Sequence, residues 1–311
     1  MPDAPTFDPD LRGLARWLPQ GVGRRWLLPI LRLGPRHGAP KRLPTGLTFR
    51  EQQLGPDKAV SVRIFSPETG SQRPVLLWIH GGGFMLGTAR ADDSVACAFA
   101  SELGAVVVSV EYRWAPENPF PTPLHDCLKA FEFIHAEAAT LGIDPARVII
   151  AGRSAGGGLA AALTFMVHDR GLPAPALQLL IYPMLDDRTV LKPVDGSMHR
   201  LWDQESNLMG WQSYLGKPPG SDGIDSLAAP ARREDLSNLP RAWVGVGTHD
   251  LFFDEDVAWA NRLKAAGVTV DLEIVEGAFH GFDAVAPGAP VSRRFHEAQL
   301  RAIRAALNLA P

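Results

Sequence analysis

Val148-Ile149-Ile150-Ala151-Gly152-Arg153-Ser154-Ala155-Gly156-Gly157-Gly158 is the stretch on which the fold turns. Its first four residues are apolar and β-rich, as in a short buried strand. From Ala155 to about residue 170 the apolar spacing becomes helical. A serine thus stands on a sharp strand-to-helix turn, with glycines two before and two after it where the crowded backbone needs small neighbours. Such a turn pushes the hydroxyl out of the sheet and sets it at a helix N-terminus, where free N–H groups favour developing negative charge. G-x-S-x-G alone is a weak pattern and is often only a glycine turn. With a strand before it and a helix after it, the serine reads as a nucleophile.

Outward from this turn the same rhythm repeats. Short β-branched or aliphatic runs at 75–79, 106–110, 177–182, 242–246 and 268–275 alternate with helical patterns at 92–103, 123–141 and 254–266. Near-continuous apolar strands separated by helices predict a parallel sheet covered on both faces. Residues 48–54 and 60–65 alternate by twos instead and predict half-buried antiparallel strands. Asp144-Pro145 predicts a turn just before the strand at 148. Residues 186–240 break the rhythm; 55 residues are too many for a structureless loop, so a small helical insertion is expected. Before residue 45, Leu11, Leu14, Ala15 and Leu18, then Trp26, Leu27, Ile30 and Leu31, suggest two short amphipathic helices rich in arginine. A basic amphipathic helix suits a membrane surface, but packing as a lid over the main domain is the stronger reading.

Composition narrows the possible functions. The 311 residues carry 31 Lys+Arg against 34 Asp+Glu, a net charge of −3, so no basic surplus exists for a nucleic-acid backbone. At 46% hydrophobic residues the chain is no candidate for disorder, and no apolar run is long enough for a membrane span. Cys97 and Cys127 make no C-x-x-C pair or metal spacing, which fits a reducing, cytoplasmic setting. Met1-Pro2-Asp3-Ala4-Pro5 lacks the charged and apolar regions of a secretion signal. Gly and Pro, at 30 and 27 residues, make up about 18% of the chain, above the usual roughly 12%. Seven of the 30 glycines lie in two runs, at residues 81–83 and 152–158.

The first of these runs, His80-Gly81-Gly82-Gly83-Phe84, directly follows the strand at 75–79. Three glycines let the backbone turn its N–H groups inward, as an oxyanion hole requires. A phosphate loop is the alternative, but neither G-x-x-x-x-G-K-[ST] nor G-x-G-x-x-G is present. Both glycine segments end apolar strands, so both are expected at the carboxyl edge of the sheet.

A serine hydroxyl needs a base, normally histidine oriented by a carboxylate. Of nine histidines, most lie on helical segments, in the proline-rich linker or in the insertion. His280, in Glu276-Gly277-Ala278-Phe279-His280-Gly281-Phe282, lies beyond the last apolar run and is the candidate base. Asp250 comes first in the acidic loop after 242–246 and is the candidate orienting acid. Asp254 is the alternative, though it reads better as the cap of the next helix, with Glu255 and Asp256 in its first turn. The order Ser154, Asp250, His280 is that of α/β-hydrolases.

With these residues in hand, the chain from about residue 47 onward resembles the hormone-sensitive-lipase-like (family IV) carboxylesterases of the α/β-hydrolase superfamily. The resemblance rests on His80-Gly81-Gly82-Gly83-Phe84, on Tyr112-Arg113-Trp114-Ala115-Pro116-Glu117-Asn118-Pro119-Phe120-Pro121 with Asp126, on the serine turn, and on the Asp250 and His280 loops. It implies an α/β-hydrolase fold with a mostly parallel eight-stranded sheet, helices on both faces and a helical cap. The catalytic domain would be 46–185 with 241–311, and the cap 1–45 with 186–240. It also implies oxyanion donors at Gly82, Gly83 and Ala155, a loop-supporting role for His80 beside Gly81, and a small-molecule ester as substrate, with no cofactor or metal. A homodimer through the last strand is a further expectation, since sheet edges invite pairing.

Two residues depart from the family pattern. Arg153 is expected to place a cation beside the nucleophile, and His249 stands where an apolar residue is usual. An amidase or deacetylase would use the same parts, and a non-catalytic receptor would keep the fold while losing the triad. Bulky Trp202, Trp211 and Tyr214 in the expected cap favour short-to-medium acyl groups over long ones.

Overall fold

The apolar runs assemble into one eight-stranded sheet in the computed structural model, which describes residues 6–23, 25–56 and 58–309. In chain order the elements are α1 (Arg12–Ala15), α2 (Leu28–Leu31), β1 (Leu47–Leu54), β2 (Val60–Pro67), β3 (Arg73–Ile79), α3 (Asp93–Leu103) and β4 (Val106–Glu111). Then come α4 (Thr122–Ala136), α5 (Ala138–Leu141), β5 (Ile143–Arg153), α6 (Ala155–Asp169) and β6 (Leu177–Ile181). The rest are α7 (Gln204–Leu215), β7 (Ala242–His249), α8 (Phe253–Ala265), β8 (Val270–Phe279), α9 (Phe282–Val285) and α10 (Pro290–Leu307). The strand order is β1-β2-β4-β3-β5-β6-β7-β8. β1 with β2, and β2 with β4, are antiparallel, and the remaining pairs are parallel.

Side chains alternate across β3, so Val75, Leu77 and Ile79 enter one core while Leu76 and Trp78 enter the other. The first core takes α4, α6 and α8; the second takes α3 and α10. This is the two-faced burial that the apolar strands predict.

Several boundaries differ from expectation. β5 begins at Ile143, because the Asp144-Pro145 turn is an irregularity inside the strand; pairing with β3 jumps from Arg73–Ile143 to Val75–Val148. The helix expected at 123–141 divides at Glu137, whose backbone leaves helical geometry. β8 runs past residue 275 to Phe279, because Gly277 at positive φ lets it continue past a register shift opposite Gly247 and His249. His280 therefore follows the strand directly. The sequence places His296 on a helical segment without giving its bounds; the structure gives them as α10, with Val291, Phe295, Ala298 and Ala302 on the buried face.

The segment before β1 lies across the main body. Asp8 N–H donates to the Gly277 carbonyl at 3.0 Å, and Arg32 reaches the carbonyls of Met85 and Ala115 at 2.9 and 2.7 Å. Its helices are only one turn each, and Trp17 and Trp26 stay exposed. The expectation about Met1 to Pro5 lies outside the described residues. Within 186–240, α7 is joined by 3-10 turns at Asp187–Leu191, Gly196–Met198 and Pro230–Arg232. Among the described residues no helix is long and apolar enough to cross a membrane. Cys97 and Cys127 are both buried and free.

Candidate active site

The residues singled out in sequence converge at the carboxyl ends of β3, β5, β7 and β8. Ser154 sits between β5 and α6 with φ 55° and ψ −126°, far from the ordinary range of a non-glycine residue. This strain persists because its neighbours fix the backbone. Ser154 N–H donates to the Ile181 carbonyl at 2.9 Å, and its own carbonyl accepts from Gly158 and Met184, each at 3.0 Å. Close approach also explains the glycines: a Cβ on Gly156 would lie 2.1 Å from the carbonyl oxygen of Ile79.

His280 Nε2 lies 2.9 Å from Ser154 Oγ, and His280 Nδ1 lies 2.8 Å from Asp250 Oδ2. A carboxylate only accepts, so Nδ1 carries the proton and Nε2 presents a lone pair to the serine hydroxyl. The other Asp250 oxygen accepts from Phe252 N–H at 2.9 Å. Phe252 and Tyr182 meet the imidazole edge-on at 5.2 and 4.8 Å between ring centres, which limits its rotation. All three members of this chain are buried, at 4–7% exposure. Asp254 takes no part. It does not cap α8 either: Phe252 is the capping residue and makes no side-chain cap bond.

The glycine loop faces Ser154 from the end of β3. Gly82 and Gly83 adopt φ of 117° and 59°, and a Cβ on Gly83 would strike the Trp202 ring at 2.0 Å. Among the described residues their N–H groups have no acceptor, and Ala155 N–H opens α6, where no helical carbonyl can reach it. His80 Nδ1 donates to the Gly81 carbonyl at 2.8 Å while its ring stacks on Tyr112 at 4.1 Å. Tyr112 Oη donates to the His80 carbonyl at 3.1 Å. Burial of the imidazole pulls His80 down to about 3, so it stays neutral.

A cavity of about 240 Å³ opens beside Ser154 and His280, bordered by Gly82, Trp202, Leu201 and Val22. Of the three bulky residues expected to shape it, only Trp202 borders it. Trp211 and Tyr214 instead pack on Phe84 of the glycine loop, at 5.4 and 4.0 Å.

Arg153 is not the free cation its position suggests. Its guanidinium pairs with buried Asp92, which also accepts from Trp78 Nε1 at 2.8 Å. His249 turns away from Asp250; its Nε2 lies 2.9 Å from the Thr6 carbonyl and its ring meets Phe7 edge-on. Glu255 and Asp256 do lie in the first turn of α8, and both are buried. Glu255 accepts from Leu185 and Asp186 N–H at 2.7 and 3.2 Å and from the Thr189 hydroxyl. Burial pushes Glu255 up to about 8. Local sequence pattern does not mark Asp92 or Phe252 as supports of the site, whereas Tyr112 stands in the motif that carries the resemblance. For Tyr182, the apolar run ending at 182 was the only signal.

A family profile described as the alpha/beta hydrolase fold matches residues 76–284. Carboxylesterase NlhH of Mycobacterium tuberculosis is 34% identical over 279 residues, covering 86% of this chain and 86% of that protein. Ethyl acetate hydrolase of Pseudomonas putida is 34% identical over 229 residues, covering 71% and 70%. Among solved structures, a bacterial heroin esterase superposes with a TM-score of 0.85 at 37% identity, covering 97% of this chain and 98% of that one.

Proposed function

The chain belongs to the α/β-hydrolase fold family, in its hormone-sensitive-lipase-like (family IV) branch, and is a carboxylic ester hydrolase; from this premise we propose that it cleaves short-to-medium acyl esters through Ser154, His280 and Asp250. The observation that carries the proposal is the unbroken hydrogen-bond chain from Asp250 through His280 to Ser154 Oγ, beside a cavity. Ser154 Oγ attacks the ester carbonyl carbon while its proton passes to His280 Nε2. Asp250 holds the imidazole and stabilises its cation. The oxyanion takes N–H bonds from Gly82, Gly83 and Ala155, donors of a kind worth on the order of 3 kcal/mol each in the transition state. As the bond to the leaving alcohol breaks, His280 returns the proton to that oxygen. Water then repeats the sequence on the acyl-enzyme and frees the acid.

We read residues 1–45 and 186–240 as a two-part cap on a catalytic domain of 46–185 and 241–311. In support, Leu201 N–H donates to the Pro19 carbonyl at 2.8 Å and Val22 N–H to Ser206 Oγ at 3.0 Å, joining the two parts over the cavity. The cavity's 240 Å³ falls below the roughly 300–1,000 Å³ of sites for drug-sized ligands, which favours small acyl groups. We also read β8 as a homodimer edge, and the two unpaired cysteines as fitting the cytoplasm.

The test is hydrolysis of p-nitrophenyl esters across acyl lengths, with Ser154→Ala as control. Rates should peak at short-to-medium chains, and the variant should lose at least about 1,000-fold in kcat. Fluorophosphonate should label wild type and not the variant. Rates that climb into long chains would refute the acyl preference. An undiminished variant would refute the triad.

A further inference from the structure

A second and larger cavity, of about 560 Å³, adjoins the one at Ser154. The two share Gly87, Thr88 and Ala91, the segment that follows the glycine loop, and so adjoin along this short sill. The outer cavity lies between the 31–42 segment and the start of α3, and nothing in the reaction described so far uses it.

Its charge is one-sided. Among the described residues Lys41, Arg42 and Arg90 line it, with Arg32, whose charge Glu117 offsets at 2.8 Å, against Asp93 as the one carboxylate of the lining. Asp93 is already held by Arg63, with both contacts at 2.7 Å. The carboxylates close behind the wall are committed too: Glu111 to Arg36 and to Ala89 N–H, Glu117 to Arg32, and Glu51 to Arg63, His37 and Gly38 N–H. Among the described residues Lys41 and Arg42 have no acidic partner, and Arg90 donates only to the His37 carbonyl. The whole chain is net negative at −3, so a positive cavity beside the active site is not a by-product of a basic protein. The wall between these charges is apolar: Leu31, Pro35 and the Trp114 ring, which Arg32 and Arg36 flank at 5.0 and 4.1 Å.

An apolar wall with cations around it suits a hydrocarbon chain or ring that carries an anionic end. We propose that this outer cavity is a substrate subsite, and that the enzyme prefers esters bearing a carboxylate or similar anion at the end remote from the scissile bond. The proposal rests on the esterase reading, because it places the scissile ester at Ser154. The anion can belong to the acyl part or to the alcohol part, since both ends of an ester emerge from one reacting centre.

Two pairs of substrates separate these cases. In the first, mono-4-nitrophenyl glutarate is compared with 4-nitrophenyl butyrate, so the charge is on the acyl side. In the second, the butyrate of 4-hydroxybenzoate is compared with the butyrate of 4-hydroxybenzamide, so the charge is on the alcohol side. In at least one pair the anionic member should have a kcat/KM higher by about three- to tenfold, mainly through a lower KM. The ratio should shrink towards one in Lys41→Gln/Arg42→Gln and in 0.5 M NaCl, where the Debye length is well below the roughly 10 Å of 0.1 M salt. A ratio of one or less in both pairs, with the neutral esters hydrolysed, overturns the subsite and leaves the esterase reading intact. A preference that survives the double variant overturns it as well. If wild type hydrolyses none of the four, the esterase reading itself has failed.

Discussion

Glu255 shows what a single buried carboxyl does to this molecule. Its ordinary value is 4.5 and burial raises it to about 8, so between those limits the folded chain holds a proton that the unfolded chain releases. Stability from this group is therefore present below about pH 4.5 and declines as pH rises towards 8. Neighbouring Asp256, buried with neither oxygen bonded, is raised for the same reason and adds to the trend. Glu255→Gln keeps an acceptor for the Leu185 and Asp186 N–H groups and offers its amide to Thr189. We expect its melting temperature to pull ahead of wild type progressively from pH 5 to pH 8, and parallel curves would refute this. His80 works in the opposite sense: kept neutral in the fold, it withdraws stability as pH falls from 6.5 towards 3. Residues of this kind are hard to read in advance. Ser154, Asp250 and His280 were legible because each ends a strand, where local pattern and chemistry coincide. Asp92, 61 residues from Arg153, became its partner only through the packing of α3 on the sheet.

At the scale of elements, the glycine loop depends on α7 and the residues just before it. Trp202, just before α7, fills the space where a Gly83 side chain would go, and Trp211 and Tyr214 within α7 brace Phe84 from behind. Gly83→Ala meets both a disfavoured φ and the Trp202 ring. We expect it to lower kcat by about 100-fold, the scale of losing one oxyanion donor, with secondary structure unchanged by circular dichroism. Activity close to wild type would mean that the loop can shift freely. The strands and central helices were legible from apolar spacing, because each is buried on a regular face. The misread boundaries have a different origin. β5 absorbs a turn, β8 extends across a register shift against β7, and the helix expected at 123–141 breaks at Glu137.

The whole molecule ends on one side in β8, the last strand of the sheet order. Residues 270–275 pair with β7 on the inner side, and the Gly277 carbonyl near its end is taken by Asp8, so the open edge lies over the earlier residues of the strand. Ile274, 46% exposed, stands in that stretch. If two β8 edges pair in a dimer, Ile274→Lys should halve the mass seen by sedimentation; a wild type that sediments as a monomer would dispose of the dimer. One contact described above also has a bearing on how the protein is made. Thr6, Phe7 and Asp8 leave the ribosome early, yet they dock on His249, Gly277 and Phe279, more than 240 residues later. The strap that backs the acid and base loops must therefore wait, unattached, until the last strand has been synthesised. In the life of each new chain, catalytic competence cannot precede the emergence of β8 and of His280 behind it.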